Sequence, residues 1–333
     1  MRPFFSIGVT TYNRKEMLKE CLSSAIWQTF SDFELIVGND YPQENISAEL
    51  LGIHDPRIRF VNHAQNLGEL RNMNALLAMS RGRYFTWLGD DDTYVPTFLQ
   101  AVHAALVKFD FPPCVFTSYM RDAIFPEEVE TSPAEGQLFE GRRFLQLYLT
   151  RTLKTLGSNG VFKKEYIMRI GGIEQLGASF SPYSDNLLAI RAGLLDKVVY
   201  IDAPLSFFRT HEESISATST DLDAYSSAQD DLCRKCINIF KSEGLRDDFH
   251  SNLFLLLWWC IIDFAAVILR AGSINKRQVF AYLAFLKRYM SFLKRPTLYW
   301  RRIGFLIITI IIQVLSLGKD KLRALAVRKK RFK

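Results

Sequence analysis

Between Phe4 and Met120 the chain alternates short β-forming runs with longer helical ones, and this alternation constrains the fold more than any other feature. The runs "FFSIGVTTY" (4–12), "FELIVGND" (33–40), "RIRFVNH" (57–63), "RYFTWLG" (83–89) and "CVFTSYM" (114–120) are rich in β-branched and aromatic residues. Between them, "KEMLKECLSSAIWQ", "ELRNMNALLAMSRG" and "PTFLQAVHAALVKF" carry apolar residues at helical spacing, the second closed by Gly82. Strands alternating with helices of 10–15 residues predict an α/β fold with a mostly parallel, Rossmann-like central sheet covered on both faces. Ligands of such sheets sit outside the carboxyl ends of the strands. Thr10, Thr11, Tyr12, Asn13, Asp40 and Asp90–Asp92 all fall at those ends.

Further on, "FPEEVETSPAEGQ" reads as a polar loop and "GRRFLQLYLTRTL" as a helix. A strand, a short helix and a Gly-Gly turn follow over 158–175. "SPYSDNLLAIRAG" predicts a helix opened by Ser184 or Asp185, and "KVVYIDAPLSFFRTHEES" a strand pair running into a polar loop.

The C-terminal third has a different character. "LFLLLWWCIIDFAAVIL" (253–269) is apolar all round apart from Asp263. In 274–295 a helix of 100° per residue sets Lys276, Lys287 and Lys294 in one row. Arg277, Arg288 and Arg295 form a second row, and Tyr282, Phe285, Leu286 and Tyr289 lie on the opposite arc. That pattern predicts a helix lying in a membrane interface on its aromatic side. The run 303–317 is apolar over about 22 Å as a helix, against a hydrocarbon core of about 30 Å, a marginal span at best. From Arg270 onward there are 17 Lys or Arg and one acid, Asp320, whereas the preceding residues hold 25 bases and 34 acids. An acidic body with a basic end points to a polyanionic surface, either lipid or nucleic acid. The five scattered cysteines fit a reducing compartment, and the lone Cys233-x-x-Cys236 fits a helix face better than a zinc site.

Three successive carboxylates at a strand end, Asp90, Asp91 and Asp92, repel one another unless something neutralises them. A hard divalent cation bound through oxygen does so, Mg²⁺ or Mn²⁺ in the ordinary case. A solvated acidic turn ahead of a helix is the competing account.

"VTTYNR", "FELIVGND" and "NLGELRNMNALLAMSRGRYFTWLGDDDTYVP", in that order and spacing, resemble the inverting family 2 glycosyltransferases of the GT-A fold, of the bacterial cell-surface polysaccharide type. The resemblance covers about residues 4–215. It implies a GT-A domain over 1–220, with a nucleotide-binding half at 1–120 and an acceptor half at 121–220, followed by a helical, basic, membrane-associating region at 221–333. It maps Asp90–Asp92 onto the metal-binding DxD region. Asp91 and Asp92 are then the metal ligands with Asp90 on the ribose, while strand alternation would instead pair Asp90 with Asp92. Gly89 stands where one alignment expects the first Asp of the motif. Thr10 and Tyr12 match the first nucleotide-binding loop, and Asp40 the acid that contacts the base; Asn39 replaces the second acid common there. Arg71 lies near the family's Arg-Asn pair, although spacing from Gly82 favours Asn74. Asp185 matches the general base of the inverting reaction, and Ser184 replaces its acidic neighbour. In "FFRTHEES", Arg209 matches a phosphate contact and His211 a metal or diphosphate contact.

The implied donor is a nucleotide-diphospho-sugar, a UDP-sugar by preference. The implied acceptor is a lipid-linked or growing surface glycan, reached at the cytoplasmic face of the plasma membrane by a peripheral or monotopic enzyme. A nucleotidyltransferase of related fold would carry a Gly-rich phosphate loop, which "TTYNRKEM" lacks. A nucleic-acid-binding protein is suggested by the basic end, but the aromatic and aliphatic residues there favour lipid, so no nucleic acid partner is expected.

Overall fold

The structure is a computed structural model that describes residues 2–121, 135–177, 180–211, 214 and 218–294. The chain forms two compact units, Met1–Gln175 with Ser184–Thr210, and Leu176–Tyr183 with His211–Lys333. The division falls after Thr210 rather than at 220, and the short stretch 176–183 goes with the second unit. The apolar run 303–317 and the basic end beyond it lie outside the described residues.

The first unit opens with β1 (Phe5–Thr11), α1 (Lys15–Ile26), β2 (Phe33–Asn39), the single turn α2 (Ala48–Leu51), β3 (Ile58–Asn62), α3 (Glu69–Met79) and β4 (Tyr84–Gly89). It continues with β5 (Thr93–Tyr94), α4 (Phe98–Lys108), β6 (Cys114–Arg121), β7 (Gly136–Phe139), α5 (Gly141–Leu149) and β8 (Gly160–Lys163). The last elements are α6 (Lys164–Arg169), α7 (Ser184–Ala192) and β9 (Val198–Phe208). One sheet runs β3-β2-β1-β4-β8-β6-β9-β5, with β7 added on β9. Its first four strands are parallel, as the alternation predicts. Beyond β4 the sheet is mixed, because β8 enters antiparallel to both β4 and β6 while β6 and β9 run parallel. The expected strand pair over 197–216 is one strand, β9, and its irregularity appears as register shifts against Thr117 and Ser118 of β6. Gly136–Phe139, at the end of the presumed polar loop, is the edge strand β7.

Burial explains the strand composition. Every residue of β2 is buried and β1 is buried except at Thr10, so both read as nearly continuous apolar runs. Leu18, Cys21, Leu22 and Ala25 form the inward stripe of α1. Gly82 does not stop α3, whose cap is Ser80. Gly82 is required by close packing instead, since a Cβ there would lie 2.6 Å from the Ser6 backbone nitrogen.

The second unit consists of α8 (Leu222–Phe240), α9 (Phe249–Ala271) and α10 (Lys276–Met290). Asp221 caps α8 and an Asn275–Gln278 capping box opens α10. Helix α9 is apolar all round because it is the core helix of this unit, burying Leu253, Leu256, Leu257, Cys260, Ile261 and Phe264. Among the described residues it lies in the one helical stretch, Glu243–Ala271, long and apolar enough to cross a membrane, and 56% of the most apolar window of that stretch is buried. The aromatic arc of α10 is inside as well: Tyr282, Phe285, Leu286 and Tyr289 are buried, and Tyr282 stacks on Phe264 at 3.7 Å. That arc packs on protein and is not the lipid-facing side expected from the sequence. The thiols of Cys233, Cys236 and Cys260 are buried and form no disulfide among the described residues.

Candidate active site

The parallel strands β1, β2 and β4 end together, with Thr10 paired to Gly89 and Thr11 to Asn39. Strand β4 stops at Gly89, and the Asp92 N–H turns back to the Gly89 carbonyl at 3.1 Å. The three acids therefore occupy a turn, and there is no strand along which alternation could group Asp90 with Asp92. What the turn does instead is fold two carboxylates over Gly89. A Cβ on Gly89 would meet Asp91 Oδ1 at 2.7 Å and Asp92 Oδ2 at 3.1 Å. Glycine at 89 thus leaves the space that the two carboxylates share.

The three acids have different surroundings. Asp90 is 0% exposed, and both its oxygens are buried without a well-formed hydrogen bond. Its counter-charge is Arg14, the residue just before α1, with Nη2 at 2.6 Å from Oδ1. Burial pushes the Asp90 carboxyl up to about 6, with Arg14 pulling the other way. Asp91 is the most accessible of the three, and Arg14 Nη1 lies 3.3 Å from its Oδ2. Asp92 is nearly buried and accepts the Arg209 backbone N–H at 3.2 Å. Burial, and then the neighbouring Asp91, raises its pKa well above the usual aspartate value. The Arg209 side chain donates Nε to the Asp91 carbonyl and Nη1 to Glu20, and its Nη2 is buried without a hydrogen-bond partner. A buried orphan donor, Arg209 Nη2, therefore lies beside the acidic turn, where a ligand bringing negative oxygen would satisfy it.

Among the described residues no three Asp, Glu, His or Cys side chains converge closely enough to hold a metal ion by themselves. Mg²⁺-like ions are commonly held by one or two carboxylates with substrate phosphates completing the shell. The Asp91–Asp92 cradle over Gly89 fits that smaller donor set.

Asp185 lies in the first turn of α7. Its Oδ1 accepts the Asn186 N–H at 2.8 Å and the Asn186 side-chain amide at 3.1 Å. Surrounding protein raises its pKa to about 6, against backbone N–H groups of Asn186, Ser158 and Gly157 that favour the ionised form. The turn at Gly157 is pressed onto this residue, and a Cβ on Gly157 would fall 1.6 Å from the Asp185 carbonyl oxygen. Glu69, at the start of α3, was not singled out from sequence. Solvent reaches it, yet the protein around its carboxyl raises its pKa, as do the charges of Asp91, Asp185 and Asp90. The charges of the DDD turn and of Asp185 both reach Glu69. Its signal in the sequence was its place in "NLGELRN", just after a glycine with φ +82°. Arg14 is a further residue of this site without a sequence signal beyond its place at the end of "TTYNR".

Several expected contacts are occupied by the fold itself. Both Asp40 oxygens accept backbone N–H groups, from Leu67 at 2.7 Å and Gly68 at 2.8 Å, so Asp40 anchors the loop that starts α3. The Asn74 amide exchanges two hydrogen bonds with Ile173, at 2.8 and 3.0 Å, and so holds the Gly171-Gly172 turn. Arg71 stands exposed on α3. Tyr12 is 47% exposed and sits edge-on to Tyr41 at 5.3 Å, presenting an open aromatic face at the end of β1. Thr10 is half-buried beside it. His211 begins the loop of the second unit, where its backbone N–H donates to Ser214 Oγ at 3.0 Å.

The sequence profile of glycosyl transferase family 2 matches residues 6–171. WcaA of Escherichia coli (strain K12), whose name assigns it to colanic acid biosynthesis as a glycosyl transferase, is 28% identical over 142 residues, 41% of this chain and 49% of its own length. An uncharacterized glycosyltransferase of Haemophilus influenzae is 32% identical over 110 residues, 32% of this chain and 34% of its own. The chain spans about half or less of the length of these curated relatives. Among solved structures, residues 1–349 of TarS from S. aureus in complex with UDP-GlcNAc superpose with a TM-score of 0.64 at 13% identity, covering 96% of this chain and 91% of that one. That likeness establishes the fold, a GT-A-like arrangement of sheet and helices. The matched profile, the matched fold and the acid-lined end of the sheet converge on one conclusion: the chain belongs to glycosyl transferase family 2.

Proposed function

We propose that the protein is an inverting glycosyltransferase that moves a sugar from a nucleotide-diphospho-sugar to a hydroxyl of a lipid-linked or growing surface glycan. The observation that carries this reading is the pair of carboxylates, Asp91 and Asp92, folded over Gly89 at the carboxyl end of β4 in a chain of glycosyl transferase family 2. A UDP-sugar is the favoured donor, in keeping with the fold shared with TarS, which was solved with UDP and with UDP-GlcNAc.

Asp185 accepts the proton of the acceptor hydroxyl. That oxygen then attacks the anomeric carbon from the face opposite the diphosphate, and the bond from that carbon to the diphosphate oxygen breaks as the new glycosidic bond forms. The leaving nucleoside diphosphate carries the displaced electron pair, and the sugar inverts. A base with a pKa of about 6 is ionised at neutral pH and still accepts a proton readily. Arg209, with its orphan Nη2, serves the departing phosphate. Asp91 and Asp92 hold Mg²⁺ or Mn²⁺, and Asp90, paired with Arg14, faces the ribose. When bound, such an ion supplies charge neutralisation of the diphosphate. Tyr12, with Thr10 beside it, packs the base, and Asp40 and Asn74 act on the same site by holding its loops. An acceptor borne on lipid places the enzyme at the cytosolic leaflet, with the helical unit on an anionic surface.

Incubation of the purified chain with UDP-, GDP- and dTDP-sugars and a lipid-linked acceptor, with and without EDTA, tests the proposal. Transfer that EDTA abolishes and Mn²⁺ restores is the expected result. Turnover indifferent to EDTA would remove the metal role of the acidic turn, and near wild-type rates in Asp185→Asn would remove the base.

A further inference from the structure

Packing consumes the aromatic side of α10 and leaves the opposite side in solvent. Phe280 is 69% exposed and Leu283 36% exposed, beside exposed Lys276 and Lys287. At 100° per residue these four side chains fall within an arc of about 60°. They form a stripe two apolar groups long with a lysine at each end, and Arg277 flanks it. Arg288 is turned elsewhere, paired with Asp230 at 2.9 Å. No acid occurs in the sequence from Arg270 to Gly318, while it holds nine Lys or Arg.

We propose that this outward stripe of α10, formed by Lys276, Phe280, Leu283 and Lys287, is the surface that docks the protein on an anionic lipid leaflet. The proposal rests on the membrane-associating reading of the C-terminal region and names the face responsible. A large ring and an aliphatic side chain exposed in line are costly in water and suited to the headgroup–acyl boundary. Lysine stems can lie along that boundary and carry their ammonium groups back to lipid phosphates. Charge complementarity selects an anionic bilayer as the occupant. Leu283 and its neighbour Ala284 offer no hydrogen-bonding groups to read or cradle nucleic acid, so DNA and RNA fit the stripe less well.

The test is co-sedimentation of the full chain with vesicles of phosphatidylcholine alone or mixed with phosphatidylglycerol. Wild type should sediment with the anionic vesicles and be released by salt. Two independent variants, Lys276→Glu with Lys287→Glu, and Phe280→Ser with Leu283→Ser, should each weaken binding about tenfold or more while melting as wild type does, since charged residues near such a surface contribute roughly fivefold each. Variants that bind like wild type would overturn the assignment of this face and leave the membrane reading standing. Wild type that ignores anionic vesicles, or that binds DNA in their place, would overturn both. Sugar transfer to a soluble acceptor, measured on the same preparations, tests the catalytic reading separately.

Discussion

The α/β unit and the helical unit solve opposite problems with charge. The first collects carboxylates at the carboxyl end of its sheet and buries two of them, Asp90 and Asp92, almost completely. The second keeps its bases in solvent and buries aromatic rings. Burial raises a carboxyl's pKa, and Asp90 at about 6 against an ordinary 3.8 costs the folded protein about 3 kcal/mol at neutral pH. Stability is given up where a ligand is expected, and is kept in the helices, where packing decides. The acidic turn carries an electrostatic cost within the fold, while the aromatic arc of α10 is already satisfied by packing.

The comparison can be broken in five ways. Asp185→Asn should lower turnover by about 10²–10⁴-fold with little change in melting temperature, read from initial rates beside a thermal melt. The rate of the unsubstituted protein should fall as pH drops through about 6, because the base is then protonated. In the helical unit, Tyr282→Ala removes a ring stacked on Phe264 and should destabilise that unit by about 3–5 kcal/mol, measured by denaturant unfolding.

Asp90→Asn should act in the reverse sense on stability. With the folded pKa raised, the native carboxyl holds its proton more tightly than the unfolded one. Stability is therefore lost as pH rises from about 4 to about 6 and is not regained above that. The Asn variant should escape this loss and gain about 1–3 kcal/mol at pH 7 while binding nucleotide-sugar more weakly. A melting temperature lower than wild type would refute the idea of a strained acidic turn. Smallest of all, Arg288→Ala breaks a solvent-exposed pair with Asp230 and should cost no more than about 0.5 kcal/mol.

Much of the first unit was legible because parallel strands buried on both faces must be apolar throughout, and because their ligands collect at one edge. Thus β1 to β4, α1, α3 and α4 were found within a few residues. Strand β7 was missed, since four residues ending a polar stretch carry little periodicity. Asp40 and Asn74 drew notice as polar groups at the right places, but sequence could not say that their hydrogen bonds would go to Leu67, Gly68 and Ile173. Glu69 and Arg14 escaped because their importance lies in neighbours 21 to 116 residues away.

The sequence by itself determined the α/β class, the acidic edge and the amphipathic character of α10, because periodicity and charge are local properties of the chain. Tertiary structure decided which side of α10 faces protein, because burial depends on the helices that pack against it. It also decided which of three adjacent acids share the space over Gly89, because a turn, unlike a strand, has no repeat from which side-chain directions can be read.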